Sequence, residues 1–335
     1  MPTDRVTLVL PSKGALADPT AAFLKRCGLQ VRKPNPRQYT GTLAGVPAVD
    51  VLFQRVTDVL YKVADGTAQL GITGLDVVAE HGAESVLVIS DQLGYGHCKL
   101  LIAVPDAWVD VDNLVDLADV ALDFREYHGR NLRVATKFPN QTRQFLHTHG
   151  IHHFSLVNAE GAIEAAPTIG YADVIVDLTA TGTTLRENYL KPLPDGVIVD
   201  SQACLIANRA ALQQNDHVRA ATAAILERID ATARGGDYLK LTVKMRGESA
   251  AEVAARISAN PLTHGLKGPT LTPIYDGAGG ESFAVVIFTE RHNLLSTVDQ
   301  FRAAGATDVL VDPAKYLFLD RSPTFEQLKS RLSIS

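Results

Sequence analysis

The stretch DLTATGTTLREN, residues 177–188, follows the apolar run Val174, Ile175 and Val176 with an acid, four threonines and a glycine. A strand that ends at Asp177 and continues through Thr179, Ala180, Thr181, Gly182, Thr183 and Thr184 into a helix start directs backbone amides and hydroxyls into one small volume. Helix N-termini carry about half a positive charge and unpaired N–H donors, so a phosphate is held there without a lysine. An N-capped helix whose threonines satisfy its own first turn accounts for one or two of these hydroxyls, hardly for all. Glu164, Asp173 and Asp177 fall in the same α/β unit. Carboxylates accept hydrogen bonds from sugar hydroxyls and attract Mg²⁺. A phosphate cradle beside a ribose-binding acid describes a 5-phosphoribosyl site. Asp173 equally suits the start of a strand, and that alternative stands.

The run HTHGIHH places His147, His149, His152 and His153 close together. Spacing of i, i+2 on a helix points side chains roughly 200° apart, and Gly150 separates the pairs, so a single tetrahedral metal site is not expected. His97 and Cys98 have no nearby third partner and read as cleft lining.

These residues must be positioned by a chain of 335 residues with 46% hydrophobic and 21% charged content, the usage of an ordinary globular protein. A net charge of −5 gives no basic excess for gripping a nucleic-acid backbone, whereas small anions remain open as ligands. Cys27, Cys98 and Cys204 form no CxxC pair, which fits a reducing, cytoplasmic setting. The first residues lack a secretory pattern, and no segment reaches the roughly 18 apolar residues of a membrane span.

Short β-rich runs alternate with helical patterns: 6–10 then 17–26, 69–72 then 75–81. That order predicts an α/β fold with a largely parallel sheet. A second series follows: LLIAVP near Leu100, LRVAT at 132–136, a helix over 140–149, FSLV at Phe154 and DVIVD at Asp173. The spacing then predicts one strand over 196–207 and one long helix over 208–234, broken at Gly235 and Gly236. Two lobes result, one from 1–103 with 195–235, the other 104–194. From 236 to 335 the pattern is β-α-β-β-α-β, the ferredoxin-like order, with a glycine-rich turn at 276–281 and a final helix over 324–332.

The segments LPSKGALADPT, GITGLDVV, LGYGHCKLLIAVP, RVATKFPNQTRQFL and EGAIEAAPTIGYADVIVDLTATGTTLREN carry a resemblance. In this order over residues 8 to 190, the chain resembles the long form of the ATP phosphoribosyltransferase family, the first enzymes of histidine biosynthesis. The resemblance implies a two-lobed, periplasmic-binding-protein-like core and a C-terminal ferredoxin-like (ACT-like) regulatory domain. It implies ATP and phosphoribosyl pyrophosphate (PRPP) as substrates, Mg²⁺ as cofactor, a homo-oligomer between dimer and hexamer, and histidine as inhibitor, with no nucleic-acid or membrane partner.

Carried over, the PRPP site falls on Thr179, Ala180, Thr181, Gly182, Thr183, Thr184 and Leu185, with Glu164, Asp173 and Asp177 on the ribose side. The ATP site falls on Ser12, Lys13, Gly14, Gly71, Thr73, Gly74, Asp91, Tyr95 and Lys99. Asp177, Glu164 and Lys13 are the residues assigned to catalysis, Lys13 and Lys99 supplying charge to phosphates. Arg133 and Lys137 flank a strand exit within reach of a triphosphate. The histidine pocket would involve Thr242, Leu266, Gly268 and Thr270. There the family's GLxSPT reads Gly265, Leu266, Lys267, Gly268, Pro269 and Thr270, without the hydroxyl, and Thr242, Val243 and Lys244 stand where an acid is common. Two other readings of the same residues are a phosphoribosyltransferase for another base and a two-lobed anion-binding protein.

Overall fold

The computed structural model describes residues 5–35, 37–46, 48–159, 161–275 and 282–333. The glycine-rich turn expected at 276–281 lies outside the described residues. Two compact units divide near residue 222.

Lobe I of the first unit begins with β1 (Val6–Pro11), α1 (Ala17–Arg26), β2 (Val31–Arg32), β3 (Thr40–Leu43) and β4 (Val49–Gln54). It continues with α2 (Val56–Ala64), β5 (Leu70–Gly74), α3 (Leu75–His81) and β6 (Val86–Ser90). Lobe II holds β7 (Cys98–Pro105), α4 (Leu114–Tyr127), β8 (Leu132–Thr136), α5 (Pro139–Thr148) and β9 (Phe154–Asn158). A short 3-10 turn, Ile163–Ala165, then leads to β10 (Val174–Thr179), α6 (Thr183–Glu187) and β11 (Leu190–Ser201). The chain returns to lobe I as β12 (Ala203–Asn208), followed by α7 (Arg209–Gln214) and α8 (Asp216–Asp237).

The lobe I sheet runs β2-β3-β4-β1-β5-β12-β6 and the lobe II sheet β11-β7-β10-β8-β9. Parallel pairing joins β4-β1-β5 at the centre of the first and β10-β8-β9 along one side of the second. The strands next to the crossovers, β12, β7 and β11, are antiparallel, so the sheets are mixed rather than largely parallel. Alternation along β7 explains its unbroken apolar run. Leu100, Ile102 and Val104 pack on one face with Leu117, Leu132 and Val174, while Leu101 and Ala103 pack on the other with Ile163, Ile175 and Leu185.

Three expectations are corrected. The pattern over 196–207 is two strands in two sheets, with Gln202 as the one residue between them. The crossings therefore lie at 91–97 and at Gln202, not at 103 and 195, because β7 sits wholly in the second sheet. The helix expected over 208–234 breaks instead at Asn215, whose side chain accepts from the amides of His217 and Val218. It then passes through both glycines to Asp237. A Cβ on Gly235 would stand 2.7 Å from the Lys315 carbonyl, so that glycine admits a close backbone neighbour.

In the second unit, β13 (Tyr238–Arg246), α9 (Ala250–Ser258), α10 (Pro261–His264), β14 (Thr270–Ile274) and β15 (Ser282–Glu290) are followed by α11 (Leu294–Ala303), β16 (Ala306–Pro313) and α12 (Pro323–Leu332). Strand order β14-β15-β13-β16, antiparallel throughout, is ferredoxin-like. Leu241, Val243 and Met245 pack on Val253, Ile257 and Phe301, so the alternate residues Thr242 and Lys244 face the side away from that core.

Candidate active site

Both lobes bring the carboxyl ends of their parallel strands to one cleft. Gln202 joins Ser201, the cross-strand partner of Cys98, to Ala203, the partner of Gly74. The edge of lobe II that carries Cys98 therefore faces the edge of lobe I that carries Gly74. Open α/β sheets bind ligands at such edges.

On lobe II, the threonine loop is tied by its own side chains. Thr179 Oγ1 accepts from the Gly182 amide at 2.9 Å, and the Thr181 and Thr183 hydroxyls are 3.0 Å apart. Gly182 has φ +70° and precedes the first turn of α6. An L side chain adopts that conformation only at a cost. Arg186 reaches back, donating to Thr183 Oγ1 at 3.2 Å and to the Thr181 carbonyl at 3.4 Å. Leu185 is buried in the lobe II core and anchors the turn. The exposed Ala180, Thr181, Thr183 and Thr184 leave the rest of the loop open to a ligand.

Asp177 lies two residues before Thr179 on the same face, and Leu101 is its partner on β7. Burial pushes its carboxyl above the usual range. The Leu178 amide, which donates at 2.8 Å, and Lys137 pull it down, while Glu164 pushes it further up. Glu164 stands in the 3-10 turn and Lys137 leaves the end of β8, so three charged groups meet at this edge. Exposed Lys99 lies on β7 between its partners Thr179 and Asp200.

On lobe I, register pairs Pro11 with Gln54, and the Ser12 amide donates to the Gln54 carbonyl at 2.7 Å. This brings Lys13, Gly14 at φ +82°, and exposed Arg55 to the same edge. Arg55 was not among the sequence candidates. It follows the strand VDVLFQ, whose position beside β1 was the missing information. Asp91 follows β6 at this edge.

Several candidates fall elsewhere. Asp173 precedes β10, at the opposite end from the loop, and is gripped by Arg130 at 2.6 and 2.9 Å and by Arg133 at 2.9 and 3.2 Å. Burial alone would raise its carboxyl, yet the two guanidinium groups and the Arg133 amide hold it well below the usual range. It is a structural ion pair, and Arg133 is committed to it rather than to a triphosphate. Gly71 lies under α2, where a Cβ would meet Val59 at 2.6 Å. Thr73 is fully buried and donates to the Val56 carbonyl at 2.8 Å. Tyr95 stands in the crossover, but its ring turns to α1, tilted against Phe23 with centroids 5.0 Å apart, its hydroxyl 3.0 Å from that of Thr20. Gly74 reaches the cleft edge, but the Asp76 carboxylate is folded over it.

Among the described residues no group of three or more His, Cys, Asp or Glu is arranged to hold a metal. His147 and His152 pair by their Nδ1 atoms at 3.1 Å, and His149 Nδ1 sits 2.8 Å from the Phe145 carbonyl. Cys204 is pushed up to about 12 by burial, Asp76 and Asp91, and Cys98 is raised by burial and Asp76, so neither offers a thiolate.

In the second unit, Thr242 and Thr270 both pair with Val286 and share one face and one row of the sheet. Leu266 lines a pocket of about 190 Å³ with Pro261, Phe288 and Asn293. Gly268, at φ +86°, stands on the approach to β14 beside His264. No helix among the described residues is long and apolar enough to cross a membrane.

The family model for ATP phosphoribosyltransferase matches residues 55–231, and that for the HisG C-terminal domain matches 236–315. ATP phosphoribosyltransferase 2, chloroplastic, of Arabidopsis thaliana is 38% identical over 337 residues, covering 99% of this chain and 81% of the relative. ATP phosphoribosyltransferase of Bradyrhizobium sp. (strain ORS 278) is 37% identical over 330 residues, covering 98% of each. The solved ATP phosphoribosyl transferase (HisG:HisZ) complex from Thermotoga maritima superposes with TM-score 0.51 at 23% identity over 67% of this chain and 95% of that one, which shows a shared fold. A cleft built from a threonine cradle, paired acids and facing cations, carried on a chain with matches of this extent, belongs to the ATP phosphoribosyltransferase family, in the long form that bears a C-terminal domain.

Proposed function

We propose that the protein transfers the 5-phosphoribosyl group of PRPP to N1 of ATP, giving N1-(5-phospho-β-D-ribosyl)-ATP and pyrophosphate, the first step of histidine biosynthesis. The observation that carries this reading is the meeting of the Thr179–Gly182 tie, the raised Asp177 carboxyl, Glu164 and Lys137 at one end of lobe II. The loop takes the 5-phosphate, its amides and hydroxyls donating. Asp177 and Glu164 accept from the ribose hydroxyls, and Lys99 and Lys137 neutralise the departing pyrophosphate. Across the cleft, Lys13 and Arg55 hold the triphosphate of ATP.

The bond from C1 of the ribose to pyrophosphate breaks as the N1–C1 bond forms. N1 attacks with a free lone pair, so no base must first remove a proton and no protein nucleophile is needed. Alignment and charge stabilisation are what the protein supplies. The partly buried carboxylate of Asp177 is suited to the positive charge that develops on the ribose. Asp177 and Glu164 are a fitting carboxylate pair for Mg²⁺, which keeps most of its ligands from water and phosphates and would neutralise the leaving pyrophosphate.

Histidine inhibition through the Thr242 and Thr270 face, a homo-oligomer of up to six copies and a cytoplasmic setting complete this reading. The protein incubated with ATP, PRPP, Mg²⁺ and pyrophosphatase, then read by mass spectrometry, should yield a phosphoribosyl-ATP peak absent without enzyme. PRPP binding without that product would remove ATP as the acceptor. Histidine titration of the active protein tests the inhibition, and a flat response would remove it.

A further inference from the structure

Glu80 lies in the last turn of α3 in lobe I and is only 4% exposed. Its carboxylate oxygens accept from the amides of Asn140 and Gln141, each at 2.9 Å, in the first turn of α5 in lobe II. A helix leaves these amides without intrahelical acceptors, and its dipole favours a negative charge there. Pro139, at the first helical position, has no amide proton to satisfy. The contact is reciprocal: Asn140 Nδ2 donates to the Glu80 carbonyl at 3.2 Å and Gln141 Nε2 to the Ala79 carbonyl at 2.6 Å. The anion position of α5 is thus filled by a side chain of the other lobe rather than left for a substrate.

The same helix touches lobe II at its other end. Ser201, the last residue of β11, donates to Asp76 Oδ1 at 2.6 Å and accepts from the Asp76 amide at 2.9 Å. Asp76 and Glu80 are four residues apart, so the two contacts lie on one face of α3 and about 6 Å apart along it. The lobes are joined covalently by segment 91–97 and by Gln202, beside the Ser201 contact. Two crossovers alone leave a hinge. A second point of attachment along α3 removes rotation about it.

We propose that Glu80 is a positioning residue for the transfer reaction: it uses α3 as a strut to fix the opening of the cleft, holding the lobe II charges against the acceptor bound on lobe I. Lys137 sits directly before the N-cap of α5, so the clamp also fixes where this lysine stands relative to the acceptor bound on lobe I. The inference rests on the reading of the cleft as the site of both substrates. It makes this core different in kind from a two-lobed receptor that opens and closes freely on its ligand.

The test uses the full chain with Glu80→Gln and Glu80→Ala, beside Gln141→Ala, which removes one reciprocal bond and leaves the carboxylate. Hydrogen exchange at the Asn140 and Gln141 amides, small-angle scattering, PRPP binding by calorimetry and steady-state rates are read on each. For Glu80→Gln we expect faster exchange at both amides, a broader scattering distribution, PRPP affinity within threefold of the parent and kcat at least tenfold lower. Gln141→Ala should show the same split in milder form, and it carries the test if the Glu80 variants fail to fold. Fast exchange with unaltered kcat and scattering would reduce Glu80 to a local helix cap and overturn the proposal. So would PRPP affinity falling in step with kcat, because the effect would then lie within lobe II. A parent without transferase activity would sink the reaction instead, and the scattering comparison would still decide the strut.

Discussion

Thr179 and Lys99 are direct partners across the antiparallel pair of β10 and β7, so the residue that opens the threonine loop and a lysine of the neighbouring strand present their side chains to the same face. Asp200 partners the same lysine from β11. The loop thus offers neutral donors for a phosphate while the fixed positive charge stands one strand away, where a second phosphate group of the same ligand would lie.

Lys99→Ala should therefore weaken use of PRPP without unfolding the chain. A charged hydrogen bond contributes about 1.5–3 kcal/mol, so kcat/KM for PRPP should fall about 10- to 150-fold. Lys99 is exposed, and its loss should change stability by no more than about 0.5 kcal/mol. Steady-state kinetics beside a thermal melt check this. An unaltered kcat/KM would take Lys99 out of the site.

Gly182→Val tests the loop itself. The nearest atom to an added Cβ is Arg186 Nη1 at 3.4 Å, so space is not the obstacle, but φ of +70° is. A β-branched residue held there carries a strain of about 1–2 kcal/mol. That strain is relieved by distorting the Thr179–Gly182 tie, and KM for PRPP should rise about tenfold while KM for ATP stays near the parent value. Equal changes in both would count against the loop as the PRPP contact.

Asp177 gives the reaction a pH signature. Its carboxyl is raised above the ordinary range by burial and by Glu164. In the folded state it binds a proton at pH values where the unfolded chain has released it, so stability contributed by this group declines as pH rises through the raised pKa. In the proposed reaction the ribose hydroxyls bind the ionised form, so kcat/KM for PRPP should fall on acidification earlier than an ordinary aspartate would dictate. Asp177→Asn should lower turnover at neutral pH and remove this limb of the profile, with the chain still folded. An unchanged acidic limb in the variant would assign it to another group.

What the sequence made legible was composition along each strand, and what it hid was position across strands. Asp173 and Asp177 sit four residues apart in one apolar run, on the same face by alternation. They are about 13 Å apart along the strand. One ends in a cleft and the other in a pair of guanidinium groups, and Arg130 and Arg133 announce that only once β8 is known to lie beside β10. Within the GITG segment, Gly71 and Thr73 serve the packing of α2, while Gly74 reaches the cleft edge. Arg55 was missed because its strand's neighbour was unknown. Glu80 was out of reach altogether, since its partners lie 60 residues away and helix–helix contacts leave no local pattern.

Asp173→Asn separates structure from catalysis. The carboxylate is 8% exposed and both arginines are about a third exposed, so the pairs are partly screened. Removing one partner of a buried pair costs about 3–5 kcal/mol, and the exposure of the arginines brings the expected loss to about 2 kcal/mol at neutral pH. Because the folded carboxyl is held well below its usual range, the unfolded state binds the extra proton in the window between the two values. The stabilisation is complete above the unfolded value near 4 and is lost as pH falls through the folded one. Urea midpoints of parent and variant should therefore differ by a constant amount from pH 7 to 5 and converge in stronger acid. At neutral pH and moderate temperature, KM for PRPP should be unchanged within about threefold, since β10 separates this ion pair from the loop. A variant of parental stability whose KM for PRPP rises tenfold would return Asp173 to the ribose side of the site.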